Sequence, residues 1–265
     1  MPHFPSLSTG ATCQYPLRRR TAQRTIRTEA LDGSILRMYD AGSASTVWEL
    51  RYSGLTDEEW AAIEMLFHDV EGRLKTFTFL DPLENLLAWT DDPSAAVWNV
   101  DPLLSIAAGR PDPFGGANAF SIVNAGQAEQ RFQQTVDAPG SLHYCYSLYV
   151  RSSQATTAEL SLSTASTVIT RSYPTSSGWD RLHLSGNLNA SENQIRCGLT
   201  IPPGGSLDIF GPQLEAQPNP SEYKSNRSQT GIHSRARFLD DRLSVVQTGV
   251  NQCSATIRLY SADQG

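Results

Sequence analysis

Between residues 142 and 210 the chain repeats one pattern, a short β-prone run followed by a turn cluster. Leu142 to Arg151 is an aromatic-rich run and Glu159 to Ser163 alternates. Val168 to Tyr173 and Trp179 to Leu184 flank the turn Pro174-Thr175-Ser176-Ser177-Gly178. Ile195 to Ile201 and Ser206 to Phe210 flank Pro202-Pro203-Gly204-Gly205. Turns at intervals of roughly ten residues are the signature of an antiparallel β-sandwich. Each such turn combines the fixed φ of proline with the freedom of glycine.

This region is bracketed by text of a different kind. At 265 residues the chain is long enough for two domains. The opening zone, to about Trp89, is charged and contains one convincing helix. Thr56-Asp57-Glu58-Glu59 is a capping box, Ile63, Leu66, Phe67 and Val70 share one face, and Gly72 is a natural stop. Alternating runs flank it, Val47 to Tyr52 before and Leu74 to Leu80 after. The middle zone contains no lysine before Lys224. The closing zone offers strands at Ala236 to Leu239, Leu243 to Val246 and Ala255 to Tyr260. It is too short to bury a core of its own. It must therefore pack on the opening zone, which makes the middle an insertion between two chain ends that stay close. The expected organisation is a host module from 1–90 and 227–265, with an inserted sandwich at 91–226.

Charge and motif content narrow the function. Lys plus Arg number 21 and Asp plus Glu 27, a net charge of −6. Nucleic-acid binding is not expected of so acidic a chain. No run approaches the ~20 apolar residues of a membrane span, so no membrane insertion is expected. Met1-Pro2-His3-Phe4-Pro5 lacks a basic region followed by an apolar one, and no signal peptide is expected. Cys13, Cys145, Cys197 and Cys253 lie far apart, as ordinary buried thiols would. No nucleophile elbow, phosphate loop, dinucleotide fingerprint or zinc-protease motif is present, so no catalytic residue, cofactor or metal is expected. The acid pairs Asp91/Asp92 and Asp240/Asp241 read as turn or strand-edge residues rather than glycosidase pairs.

Two groups of residues could carry binding. A sugar site needs an exposed aromatic ring beside polar groups. Tyr144 and Tyr146 on one face of a strand, and Trp179 with Arg181, are the candidates. Alternation places Cys145, Ser147 and Tyr149 on the opposite face, and only one of the two faces can meet a ligand. The basic run Arg18, Arg19, Arg20 and Arg24 is the candidate for a subunit contact, with a solvent-facing arm as the plainer reading.

An ordered series of segments resembles a known family. Phe4 to Gly10, Tyr15-Pro16-Leu17, Asp32-Gly33-Ser34 with Arg37, the helix ending at Gly72, and Phe77 to Pro82 are similar to the start of tailed-phage distal or minor tail proteins, also found in gene-transfer-agent-like particles. Phe238, Asp240, Leu243 and Ala255 to Leu259 resemble that module's closing strands. Asp112 to Phe120, and Phe210-Gly211-Pro212-Gln213-Leu214-Glu215 followed by Pro220-Ser221-Glu222-Tyr223, are similar to carbohydrate-binding-module-like jelly rolls of phage tail and fibre proteins. The resemblance implies a mainly β fold. A tail-tube-like β-barrel or sandwich with one α-helix would be interrupted by an inserted antiparallel jelly roll. It also implies a non-enzymatic structural virion protein of the tail tip or baseplate, made in the host cytoplasm. Its copies would form a ring, expected as a hexamer with a trimer as the alternative, against tail-tube and baseplate-hub neighbours. An outward jelly roll would touch host-surface polysaccharide. The alternative is a free carbohydrate-binding module or adhesin.

Overall fold

The computed structural model describes residues 2–228 and 230–262. The chain is mainly β with one α-helix. It divides into two compact units, one built from Met1–Ser8, Cys13–Phe79 and His233–Gly265, the other from Thr9–Thr12 and Leu80–Ile232. We refer to them as the host unit and the sandwich.

In chain order the host unit begins with β1 (Arg18–Ala22), β2 (Thr25–Glu29), β3 (Ile35–Tyr39), β4 (Ser45–Leu55), α1 (Asp57–Asp69) and β5 (Phe77–Leu80). The sandwich contributes β6 (Trp98–Val100), β7 (Leu104–Arg110), β8 (Ala119–Asn124), β9 (Gln130–Val136) and β10 (His143–Arg151). It continues with β11 (Thr157–Ser163), β12 (Val168–Pro174), β13 (Asp180–Asn187), β14 (Ile195–Ile201) and β15 (Ser206–Glu215). The chain returns to the host unit through β16 (Ile232–Phe238), β17 (Val245–Gly249) and β18 (Gln252–Ala262).

The host sheet runs β1-β4-β18-β16-β5, with β17 also on β18. The last strand of the chain pairs antiparallel with β4 from Cys253↔Leu55 to Ala262↔Ser45. This long pairing ties the two chain ends into one sheet. Alternation puts Trp48, Leu50 and Tyr52 of β4 and Ile257 and Leu259 of β18 on the buried face. They pack with Phe4, Phe77, Phe79, Phe238 and Ile63 and Leu66 of α1. The helix starts where its capping box requires: the Glu59 amide donates to Thr56 Oγ1 at 3.2 Å and the Thr56 amide donates to Glu59 Oε2 at 2.9 Å. Burial disfavours the Glu59 carboxylate, yet donors from Thr56 and Ser8 hold its pKa below the ordinary value. The strand expected from Leu74 begins only at Phe77. Glu71 and Gly72 are left-handed at φ 56° and 65°, and the Lys75 amide still bonds back to Val70. Likewise the strand expected at Leu243 starts at Val245.

The sandwich faces two five-stranded sheets, β13-β10-β15-β8-β7 and β12-β11-β14-β9-β6. All its resolved pairings are antiparallel. The architecture is that of a jelly roll. Between the sheets lie Tyr144, Tyr146, Leu148, Phe120, Ile122, Phe132, Leu160, Leu199 and Leu214, with Trp98 stacked on Phe132 at 4.3 Å. Gln134, buried on β9, is satisfied: it accepts from the Ala88 amide at 2.8 Å and donates to its carbonyl at 2.9 Å.

The sandwich is longer than 91–226. Leu80, Leu86 and Leu87 enter its core. Asn85 accepts the Leu87 and Leu214 amides and donates to the Pro212 and Lys224 carbonyls. The Gly231 amide closes on the Asn85 carbonyl at 3.0 Å. Apolar residues in an irregular segment carry no strand or helix period, so sequence pattern places the boundary about ten residues late.

Candidate functional site

The outer face of sheet β13-β10-β15-β8-β7 is where the sandwich concentrates polar and aromatic groups. Register defines it: Ser147 sits opposite His183 and Gln213, Tyr149 opposite Arg181 and Phe210, and Arg151 opposite Asp208. One half of this face is already occupied. The segment following β15 folds back as a strap. Ser221 donates its amide to Glu215 Oε2 at 3.0 Å, Lys224 Nζ reaches Glu215 Oε1 at 2.9 Å, and the Lys224 amide donates to Gln213 Oε1 at 2.7 Å. Tyr223 packs edge-on to Phe210 at 5.0 Å. It fits because Gly211, at φ +63°, has no Cβ; one would lie 3.0 Å from the Tyr223 ring. The Gln213-Leu214-Glu215 and Pro220-Ser221-Glu222-Tyr223 text thus encodes strap anchoring. Glu215 is 1% exposed and surrounded by donors, so it is not a ligand group.

The other half of the face is open. Phe114 is 68% exposed and meets Tyr149 edge-on at 5.6 Å and Phe210 at 5.8 Å. Its loop is held by Asp112, whose carboxylate accepts the amides of Phe114, Gly116 and Asn118 and the Asn118 side chain. Burial opposes ionisation of Asp112, but those donors outweigh it and lower its pKa. Next to the rings, the Arg181 guanidinium lies over Tyr149 at 5.3 Å and donates to Ser147 Oγ at 3.2 Å. The Arg151 guanidinium lies over Trp179 at 4.7 Å and is held by Asp208 at 3.0 Å. Arg181 Nε is buried without a hydrogen-bond partner. Four rings, Phe114, Tyr149, Phe210 and Trp179, beside two oriented guanidiniums and a carboxylate can stack on apolar C–H faces and bond hydroxyl groups.

The sequence candidates divide. Trp179 and Arg181 lie on this face. Tyr144 and Tyr146 do not: both are 0% exposed between the sheets, and Tyr144 donates its hydroxyl to the Pro139 carbonyl at 2.7 Å. Burial pushes both phenols well above the ordinary range. Period-2 alternation separates two sets of side chains but does not say which set faces the second sheet. Tyr149 belongs to the alternative strand face that alternation left open, while Arg151, Asp208 and Phe114 are not among the sequence candidates. Phe114 had a signal, because an aromatic in an Asp-Pro-Phe-Gly-Gly turn has no strand to bury it.

The acid pairs are engaged in structure. Asp91 accepts from Tyr223 at 2.6 Å and from Ser225, and Asp92 accepts from Ser94. Asp240 pairs with Arg258, and Asp241 accepts the Arg73 amide. All four cysteines are free and buried, and burial pushes Cys145 and Cys197 up to about 12. Such thiols are poor nucleophiles.

In the host unit, the arginine run lies on β1 and its exit. Arg18 and Arg20 project into solvent from the sheet face opposite the core, where they oppose Glu49 and Val47. Arg19 opposes Trp48, so it alternates to the other face, and is half-buried. Arg24 is used within the chain: it pairs with Asp40, while the Asp40 amide donates to the Arg24 carbonyl at 3.1 Å. This clamp closes the base of a β2–β3 hairpin with register from Thr25↔Tyr39 to Glu29↔Ile35. Every residue of both strands is exposed, including Ile26, Ile35, Leu36, Met38 and Tyr39. Leu31 at its tip is also fully exposed.

Comparison with family models and with curated proteins finds no match. Among solved structures, about half of the chain is similar to a xylan-binding domain of carbohydrate-binding-module family 22. The TM-score is 0.42 at 13% identity, over 53% of this chain and 100% of that one. It is similar to the enzymatically active domain of bacteriophage CBA120 tailspike protein 4, with a TM-score of 0.41 at 12% identity, over 52% of this chain and 22% of that one. It is also similar to TmCBM61 in complex with β-1,4-galactotriose, with a TM-score of 0.39 at 12% identity, over 49% of this chain and 97% of that one. Likeness at this level assigns no function.

Proposed function

We propose that the protein is a non-catalytic structural subunit that assembles with copies of itself, of the kind that forms the tail-tip ring of tailed-phage or gene-transfer-agent-like particles between tube and baseplate hub. The observation that carries this reading is the β2–β3 hairpin. A two-stranded ribbon is marginal in water by itself. This one exposes Ile26, Leu31, Ile35, Leu36, Met38 and Tyr39 together. Apolar groups so concentrated mark an association surface. Electron microscopy of the purified chain and of the particle tests it: closed rings are expected, and a chain absent from particles would refute it.

The open half of the sandwich face supports a second role, binding of host-envelope polysaccharide. Single sugar contacts are weak, and copies on one ring gain avidity from effective concentration. A glycan array probed with the wild-type chain should give binding that Trp179→Ala or Phe114→Ala removes. Binding by a strictly monomeric chain would favour the alternative, a free carbohydrate-binding module. Release of new reducing ends from any bound polysaccharide would overturn the non-catalytic reading.

A further inference from the structure

The host unit is electrically two-sided. On the face of its sheet opposite the core, register brings together Arg18 and Arg20 of β1, Arg51 of β4, Arg258 and Tyr260 of β18 and Arg237 of β16. One row across the strands reads Arg20, Val47, Tyr260, Arg237. Two clefts of about 350 and 560 Å³ lie along this face. Arg235, Arg237 and Tyr260 line the first, and Arg73, Arg242 and Arg258 line the second beside Asp240 and Asp241. Few acids answer these cations. Glu49 pairs with Arg51, and Asp240 with Arg258. Arg18, Arg20 and Arg235 have no hydrogen-bond or ion-pair partner among the described residues. At the centre, Val47 and Tyr260 are half-buried, an apolar patch ringed by guanidiniums.

The helix is the reverse. α1 buries Ile63 and Leu66 against the core side of the sheet and contains five acids and no Lys or Arg. Glu58, Glu64 and Asp69 are exposed, with no ion-pair partner among the described residues, and between them Met65 stands 63% exposed. Glu58, Ala61, Met65 and Asp69 fall on one helical stripe, and Glu64 flanks it on the exposed side of α1. That stripe spans roughly 16 Å at 1.5 Å per residue. The arginine row spans three strand spacings, roughly 14 Å. An acidic stripe with an apolar knob therefore matches a basic row with an apolar centre in length, charge and pattern.

We infer that the basic sheet face of one copy docks the acidic outer face of α1 of the next, with Met65 against Tyr260 and Val47. The two surfaces are different and lie on opposite layers of one unit, so the contact is heterologous and propagates from copy to copy. This rests on the self-assembly reading and adds the interface to it. Neither surface uses the hairpin. The favoured occupant is a second copy rather than nucleic acid, because the complementary surface is present on the chain itself.

The test is a charge swap in the full-length chain. Arg20→Glu with Arg235→Glu reverses the sheet face, and Glu64→Lys with Asp69→Lys reverses the helix; all four residues are exposed, so circular dichroism and melting should match wild type. Each variant alone should associate at least tenfold more weakly than wild type by sedimentation velocity at low salt, and an equimolar mixture should form mixed assemblies. Variants that assemble like wild type would overturn this interface while leaving self-assembly intact. A mixture that fails to recover would do the same. A wild-type chain monomeric at every concentration would overturn both. If the sheet-face variant instead lost binding to a labelled single-stranded oligonucleotide with self-association unchanged, the face would be a nucleic-acid site and the inference wrong.

Discussion

The sandwich and the host unit solve the same problem differently. In the sandwich, two sheets cover each other, and its long apolar side chains are shared between them: Phe120, Phe132, Tyr144, Tyr146, Leu160 and Leu199 are all at most 1% exposed. Its most exposed large apolar side chain is Phe114 on the open face, at 68%, with Leu103 and Val168 also exposed. The host unit has one sheet and one helix to cover it. It leaves a whole hairpin in solvent and presents opposite charge on its two layers. The sandwich encloses its core between its own two sheets, whereas the host unit exposes the apolar side chains of a whole hairpin.

Four changes would break or sharpen that contrast. The largest effect belongs to the sandwich core. Phe132→Ala removes the ring stacked on Trp98, and the sandwich should lose about 3–5 kcal/mol in a denaturant titration followed by Trp98 fluorescence. Next is the strap. Lys224→Met leaves the Glu215 carboxylate buried without its cation and should cost about 3 kcal/mol. The same titration checks it, and a change under about 0.5 kcal/mol would show that the strap is loosely held. In the host unit, Thr56→Ala removes the cap of α1 and should cost about 1 kcal/mol, read from the host-unit transition. The smallest belongs to the open face. Phe114→Ala removes an exposed ring and should change stability by less than about 0.5 kcal/mol while abolishing any glycan binding.

Acid separates the regions further. Asp112 and Glu59 are both held below their ordinary pKa in the fold. Each therefore contributes stability that is fully present above the unfolded value, roughly 3.9 for Asp and 4.3 for Glu, and that is lost as pH falls through the folded value. Thermal melts from pH 5 downward should show both transitions falling. Asp112→Asn should flatten the sandwich's acid limb alone, and an unchanged limb would contradict the Asp112 assignment.

What the sequence shows and hides follows from range. The capping box at Thr56 to Glu59 is local and is legible as written. So are the turns at Pro174 to Gly178 and Pro202 to Gly205, because proline and glycine act on their own backbone. That the closing zone packs on the opening one follows from a global argument, since a short closing zone needs a host, but its pairing with β4 does not. Three further features were not legible. Which face of β10 is core depends on the second sheet, and Tyr144 and Tyr146 went inside. The strand β2 lies partly in the run that reads as an arginine-rich arm and β3 has no strand reading, because a hairpin with no buried face shows no alternation of apolar and polar residues. The basic sheet face is assembled from four strands distant in sequence, and a net charge of −6 conceals it.

The central claim is that the host unit completes itself with sister copies. Light scattering of the full-length chain over a wide concentration range, beside a chain with residues 24–40 replaced by a short Gly-Ser turn, tests it most directly. The account predicts a wild-type mass several times 29.0 kDa and, at matched concentration, a clearly smaller mass for the shortened chain, which keeps only the sheet-to-helix contact. A wild-type mass that stays at the single-chain value, or a shortened chain that assembles as well as wild type, would contradict it.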